Sequence, residues 1–131
     1  MRSALSSVLD VDAGNWRDQV THSKDLVLVE FWHRTCPWCR LLEPIYGELS
    51  DEYRGKVKFA RLNMLESTEN KFIAATNGVL STPTLVFYCE GRPLGSLVGF
   101  IGRDSLKQAI EQMLVRHKQC IEQSSSLIDY V

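Results

Sequence analysis

The chain has 131 residues, 44% of them hydrophobic and 24% charged, with a formal net charge of −1. That length suits one domain built on a single core. No apolar run is long enough to span a bilayer, and the near-neutral charge with dispersed Lys and Arg argues against a nucleic-acid partner.

The first ten residues carry Arg2 but no apolar core of the length a secretory signal needs, so the sequence reads as cytoplasmic. Ser7-Val8-Leu9-Asp10-Val11 fits a short edge strand, and Asp12 is placed to cap a helix that contains Trp16 and Val20. Leu26 to Trp32 is a run rich in β-branched and aromatic residues, of strand length and apolar except at Glu30. After a short polar stretch comes Cys36-Pro37-Trp38-Cys39, and from there to about Tyr53 the apolar residues recur at helical spacing, with Pro44 expected to kink the helix and Gly55 to end the element. Val57 to Asn63 begins with strand alternation, and Ser67 to Thr76 is a short helix stopped by Asn77-Gly78.

Beyond Thr82-Pro83, two strands, Thr84–Cys89 and Leu94–Phe100, flank Glu90-Gly91-Arg92-Pro93 and form a hairpin. Asp104 is expected to cap a last helix, on which Leu106, Ile110, Met113, Leu114 and His117 make one apolar stripe. The predicted order is β-α-β-α-β-α-β-β-α, an α/β domain over residues 1–120 with a mixed five-stranded sheet and helices on both faces. From Ser124-Ser125-Ser126 the pattern loosens, and residues 121–131 read as a tail.

The chemistry gathers where the first long strand hands over to its helix. A thiolate attacks disulfides, and the free N–H groups and positive dipole end of a helix N-terminus stabilise a negative sulfur. Cys36 should thus ionise more readily than a free cysteine, Pro37 starts the helix, and Cys39, about one turn on, is close enough to attack a mixed disulfide formed on Cys36. A zinc site would need two more ligands, and Cys89, Cys120, His22, His33 and His117 form no second paired motif, so neither metal nor cofactor is expected. Four cysteines are too few for a disulfide scaffold, which fits a reducing compartment where one pair cycles, with Cys89 and Cys120 as bystanders.

Val29-Glu30-Phe31-Trp32, Cys36 and Cys39, Pro44, Arg61-Leu62-Asn63, Thr82-Pro83-Thr84 and Gly99 together resemble the thioredoxin family over roughly residues 5 to 118. The resemblance implies the thioredoxin fold, with five strands and four α-helices. It also implies a cis-proline at Pro83 beside the cysteines, with Thr82 contacting an extended substrate segment and Gly99 at the end of the hairpin. Several positions depart from the family pattern. Thr35 precedes the first cysteine, and Pro37-Trp38 stand between the pair, where a proline directly after the first cysteine looks more like glutaredoxins and disulfide-forming oxidants.

Glu30 takes the place of a buried aspartate, and Arg61 lies near the usual lysine. Glu30 is either a general base for Cys39 or the partner of Arg61 in a structural salt bridge. Trp38 either grips a partner from the rim of the site or packs over the dithiol; the exposed role is the expectation. Trp32 is placed to shield the site, Phe31 to join the core, and His33 to be a solvated loop residue. The function expected from all this is reduction of protein disulfides by a monomer, recharged by a reductase or a low-molecular-weight thiol. The competing readings are a disulfide-forming or glutathione-linked redox protein and an adaptor that holds partners through Thr82, Trp38 and the tail.

Overall fold

A computed structural model describes residues 7–129. Five strands, β1 (Val8–Val11), β2 (Leu26–Trp32), β3 (Val57–Asn63), β4 (Thr84–Cys89) and β5 (Arg92–Val98), form one sheet in the order β1-β3-β2-β4-β5. The first three strands of that order are mutually parallel, while β4 runs antiparallel to β2 and to β5. β2 is therefore the centre of the sheet, and six of its seven residues are buried. A strand covered on both faces needs a continuous apolar run, which is what Leu26 to Trp32 supplies.

Alternation along β2 divides the core. Leu26 and Leu28 pack with Leu42, Tyr46 and Leu49 of α1 (Pro37–Glu52) and with Leu106 and Ile110 of α3 (Arg103–Asp129). Val27, Val29 and Phe31 face the other way, toward Val20 and toward Ala74 of α2 (Thr68–Thr76). By the same two-residue period Glu30 and Trp32 lie on the α1 side, and so does Arg61, which follows Val57 and Phe59 on β3. The buried hydroxyl of Tyr46 sits between the carbonyls of Leu28 (2.9 Å) and Ala60 (2.6 Å), fixing α1 across β2 and β3.

Four helical segments flank the sheet, as expected, but the first is a π-helical stretch, Arg17–Thr21. Asp12 organises the turn that leads into it, its side chain accepting from the backbone N–H groups of Gly14 (2.7 Å) and Asn15 (3.1 Å). Pro44 does not end α1, which continues to Glu52. The hairpin turn is tighter than predicted. Glu90 and Gly91 both take positive φ, 50° and 80°, so two residues suffice, and β5 begins at Arg92, opposite Cys89. Pro93 is tolerated there because β5 is an edge strand. A side chain at Gly91 would also meet the Thr21 backbone at 3.0 Å, so glycine is required twice over.

α3 starts at Arg103, which puts Asp104 inside the first turn and not at the cap. The serines at 124–126 do not stop it; the helix continues to Asp129. Tail residues 121–129 are thus an extension of the helix, and the last two residues of the chain lie outside the described ones.

Candidate active site

The carboxyl end of β2, the start of α1 and the loop before β4 lie at the same end of the sheet. Cys36 occupies the cap position of α1 in extended conformation (φ −97°, ψ 105°), and its Sγ accepts the backbone N–H of Cys39 at 3.2 Å. A sulfur here takes the role usually played by a serine or aspartate oxygen, and a negative sulfur strengthens that bond. Pro37 sits at the first helical position, as its missing N–H allows. Cys36 and Cys39 form a disulfide, with 5.3 Å between their Cα atoms. Both residues are about 95% covered.

The loop before β4 leads into Thr84, opposite Phe31 near the carboxyl end of β2. The Thr82–Pro83 peptide bond is cis, as the resemblance implies. The Thr84 hydroxyl donates to the Ser81 carbonyl (2.7 Å), and the Gly99 N–H donates to the Pro83 carbonyl (2.8 Å). Thr84 also stands opposite both Phe31 and Val98, so the loop is tied to the site from both neighbouring strands. Gly99, at φ 90°, turns the chain out of β5 at this point. Trp38 is 57% exposed, with its ring centroid 5.9 Å from that of Phe100. The surface position expected for Trp38 is thus observed, but its aromatic partner Phe100 was read only as the end of a strand. Adjacency to Gly99 was the signal that could have marked it.

Glu30 is 2% exposed on the α1 side. Burial pushes its carboxyl up to about 7, against the opposing pull of the Arg61 guanidinium, with the Glu43 charge raising it further. Glu30 and Arg61 stand opposite one another in the β2–β3 register. They nevertheless form no ion pair within 4 Å, and Glu30 Oε2 and Arg61 Nε lack hydrogen-bond partners among the described residues. The guanidinium instead lies 3.6 Å above the Trp32 ring. A cation on an aromatic face is attracted by the ring quadrupole, and this stacking replaces the salt bridge considered from sequence. Phe31 is fully buried in the core, and His33, half-buried, accepts the Thr35 N–H at 3.3 Å.

Cys89 and Cys120 are not bystanders. They form a second disulfide that links the end of β4 to α3. Cys89 stands opposite Leu26, at the far end of β2 from Trp32, so this bond lies away from the catalytic pair. The sequence carried a signal for it: Cys120 follows His117 by three and extends the stripe of Leu106, Ile110 and Met113 at helical spacing. Among the described residues no group of three or more His, Cys, Asp or Glu could hold a metal ion.

A cysteine pair across a strand-to-helix junction, beside a cis-proline loop, is the site arrangement of a thiol-disulfide oxidoreductase. The thioredoxin family profile matches residues 7–112, and the chain belongs to the thioredoxin family. It is 34% identical to "Thioredoxin M-type, chloroplastic" of Pisum sativum over 86% of this chain, but spans only 64% of that protein's length. Against "Thioredoxin 1" of Nostoc sp. and "Thioredoxin" of Synechocystis sp. the identities are 31% and 33%, over 84% of this chain and all of each relative.

Proposed function

We propose that the protein reduces protein disulfides by two exchange steps. The Cys36 thiolate attacks one sulfur of the substrate disulfide, forming a mixed disulfide and releasing the other sulfur as a thiolate. Cys39 then attacks Cys36 Sγ, its proton passing to the Glu30 carboxylate. The second substrate thiolate leaves, and the Cys36–Cys39 disulfide carries away the two electrons' worth of oxidation. A reductase or a low-molecular-weight thiol restores the dithiol. Thr82, cis-Pro83 and Gly99 border the substrate segment, and Trp38 grips it.

The observation that carries this reading is Cys36 Sγ seated on the Cys39 amide at the start of α1, at the same end of the sheet as cis-Pro83. Its test is the reduction potential of the Cys36–Cys39 pair in graded thiol buffers, read by alkylation and mass. A two-electron transition at or below about −220 mV, the glutathione poise, supports reduction. A markedly more oxidising value, favoured by Pro37 at the first helical position, would overturn that direction in favour of disulfide formation.

No helix among the described residues is long and apolar enough to cross a membrane. The proposed compartment is a reducing cytoplasm, where the catalytic pair cycles, while the Cys89–Cys120 bond ties β4 to α3.

As general base, Glu30 must be ionised, so resolution by Cys39 should accelerate as pH rises through about 7, and Glu30→Gln should remove that inflection. Stability moves the opposite way. The folded-state pKa, about 7, exceeds the ordinary 4.5, so the folded protein holds this proton more tightly. The resulting stabilisation is complete below 4.5 and is lost as pH rises to about 7. Glu30→Gln should therefore flatten the stability profile over that window by about 3 kcal/mol, measured by urea unfolding at several pH values. An unchanged profile would refute the assignment.

A further inference from the structure

On the β3 side of the catalytic disulfide, opposite the cis-proline loop, lies a cavity of 290 Å³ whose lining includes Cys39, Arg34, Arg40 and Arg61. Its single carboxylate, Glu43, leaves an excess of two positive charges. None of the three guanidiniums has a carboxylate within 4 Å among the described residues, Glu43 included. Among the described residues the Arg40 guanidinium donates only to the Arg34 carbonyl, at 3.4 Å. Arg61 is nine-tenths buried, with one face covered by Trp32 and its Nε without a partner. Arg61 stands opposite Glu30 on β2 and Asp10 on β1, but neither carboxylate comes within 4 Å of it, so its planar fork keeps donors free for an incoming carboxylate, with which it pairs in a strong, charge-assisted bond.

We infer that this cavity is an anion subsite that receives a carboxylate carried next to the disulfide being reduced, with Arg61 at its base and Arg34 and Arg40 at its mouth. The inference rests on the proposed oxidoreductase function and names a class of substrate for it. Cys39 lines the cavity and Arg34 precedes Cys36 by two residues, so a substrate sulfur held on Cys36 has its acidic group within reach of the guanidiniums. Preference among disulfides then follows charge, because the steering and pairing terms act on the anionic substrate alone.

The test uses the pre-reduced 131-residue chain in single turnover, with oxidation of the Cys36/Cys39 pair counted by alkylation and mass. The small-molecule arm compares dithiodipropionate, a dianion, with neutral bis(2-hydroxyethyl) disulfide. The peptide arm compares a disulfide peptide with aspartate beside its cystine and the same peptide with asparagine. The acidic member should react about tenfold faster in at least one arm, and that arm identifies the carrier as a small molecule or an acidic protein segment. The preference should shrink at high salt and disappear in Arg34→Ala/Arg40→Ala, while Arg34→Lys/Arg40→Lys retains part of it. Equal rates for acidic and neutral members in both arms would overturn the subsite and leave the oxidoreductase reading standing. Failure of every disulfide to oxidise the pair would overturn both.

Discussion

Cys36→Ser should abolish turnover of a protein disulfide, and Cys39→Ser should stop the same reaction one step later with the substrate still attached. The asymmetry follows from geometry. Cys36 is the capping residue whose sulfur receives the Cys39 N–H at the positive end of α1, so it is the sulfur stabilised as a thiolate. A serine hydroxyl there is not a competent nucleophile, and the loss should exceed about a thousandfold. Cys39, one turn on, acts only after the mixed disulfide has formed. With serine in its place the covalent complex has no internal route to resolution, so it accumulates and is visible by mass or on a non-reducing gel. Normal turnover by Cys39→Ser would refute the resolving role. Capture of partners by the double Cys36→Ser/Cys39→Ser variant would instead support the adaptor reading, in which the fold holds partners without chemistry.

The second large effect is expected at the opposite end of the sheet. Core contacts of α3 run through Leu106, Ile110, Met113 and Leu114. Beyond them the helix is held by Arg116 to the Leu94 carbonyl (3.2 Å), His117 to the Lys24 carbonyl (3.1 Å), and Arg92 to the Ser124 hydroxyl (2.7 Å). The Cys89–Cys120 bond is the covalent tie across this stretch, and its partners are 31 residues apart in sequence. Closing a loop of that length restricts the unfolded chain, so its loss should cost about 3 kcal/mol. For a domain of this size, that lowers Tm by about 10 °C. The measurement is thermal unfolding of Cys120→Ser against the parent, both carrying Cys36→Ser/Cys39→Ser so that only this bond differs. Melting temperatures within a degree or so of each other would show that the bond does not stabilise the fold.

Much of this molecule was legible in contiguous sequence. Leu26–Trp32, Val57–Asn63 and Thr84–Cys89 are strands over the ranges their β-branched and aromatic content predicted, since a central strand's burial imposes its own composition. The strand-to-helix position of the cysteine pair was legible for a similar reason: Pro37 and the two-residue spacing act within one turn of helix. Errors came where a local signal was compatible with two backbones. Glu90-Gly91-Arg92-Pro93 carries enough turn chemistry for four residues, yet Glu90 accepts a positive φ and the turn closes with two. Asp104 has the chemistry of a cap but sits inside the first turn, and three serines weaken a helix without ending one that is anchored at Cys120.

The sequence by itself determined the alternation of strands and helices, the Cys36/Cys39 pair and its place at the start of α1, because these depend on residues within a few positions of one another. Only the tertiary structure decided that Arg61 stacks on Trp32 and leaves Glu30 unpaired, and that Trp38 meets Phe100. The same holds for the joining of Cys89 to Cys120 and for the three arginines that open onto one cavity beside Cys39. Each of these is a choice among partners distant in the chain, made by packing across the sheet, and residue spacing carries no record of which partner wins.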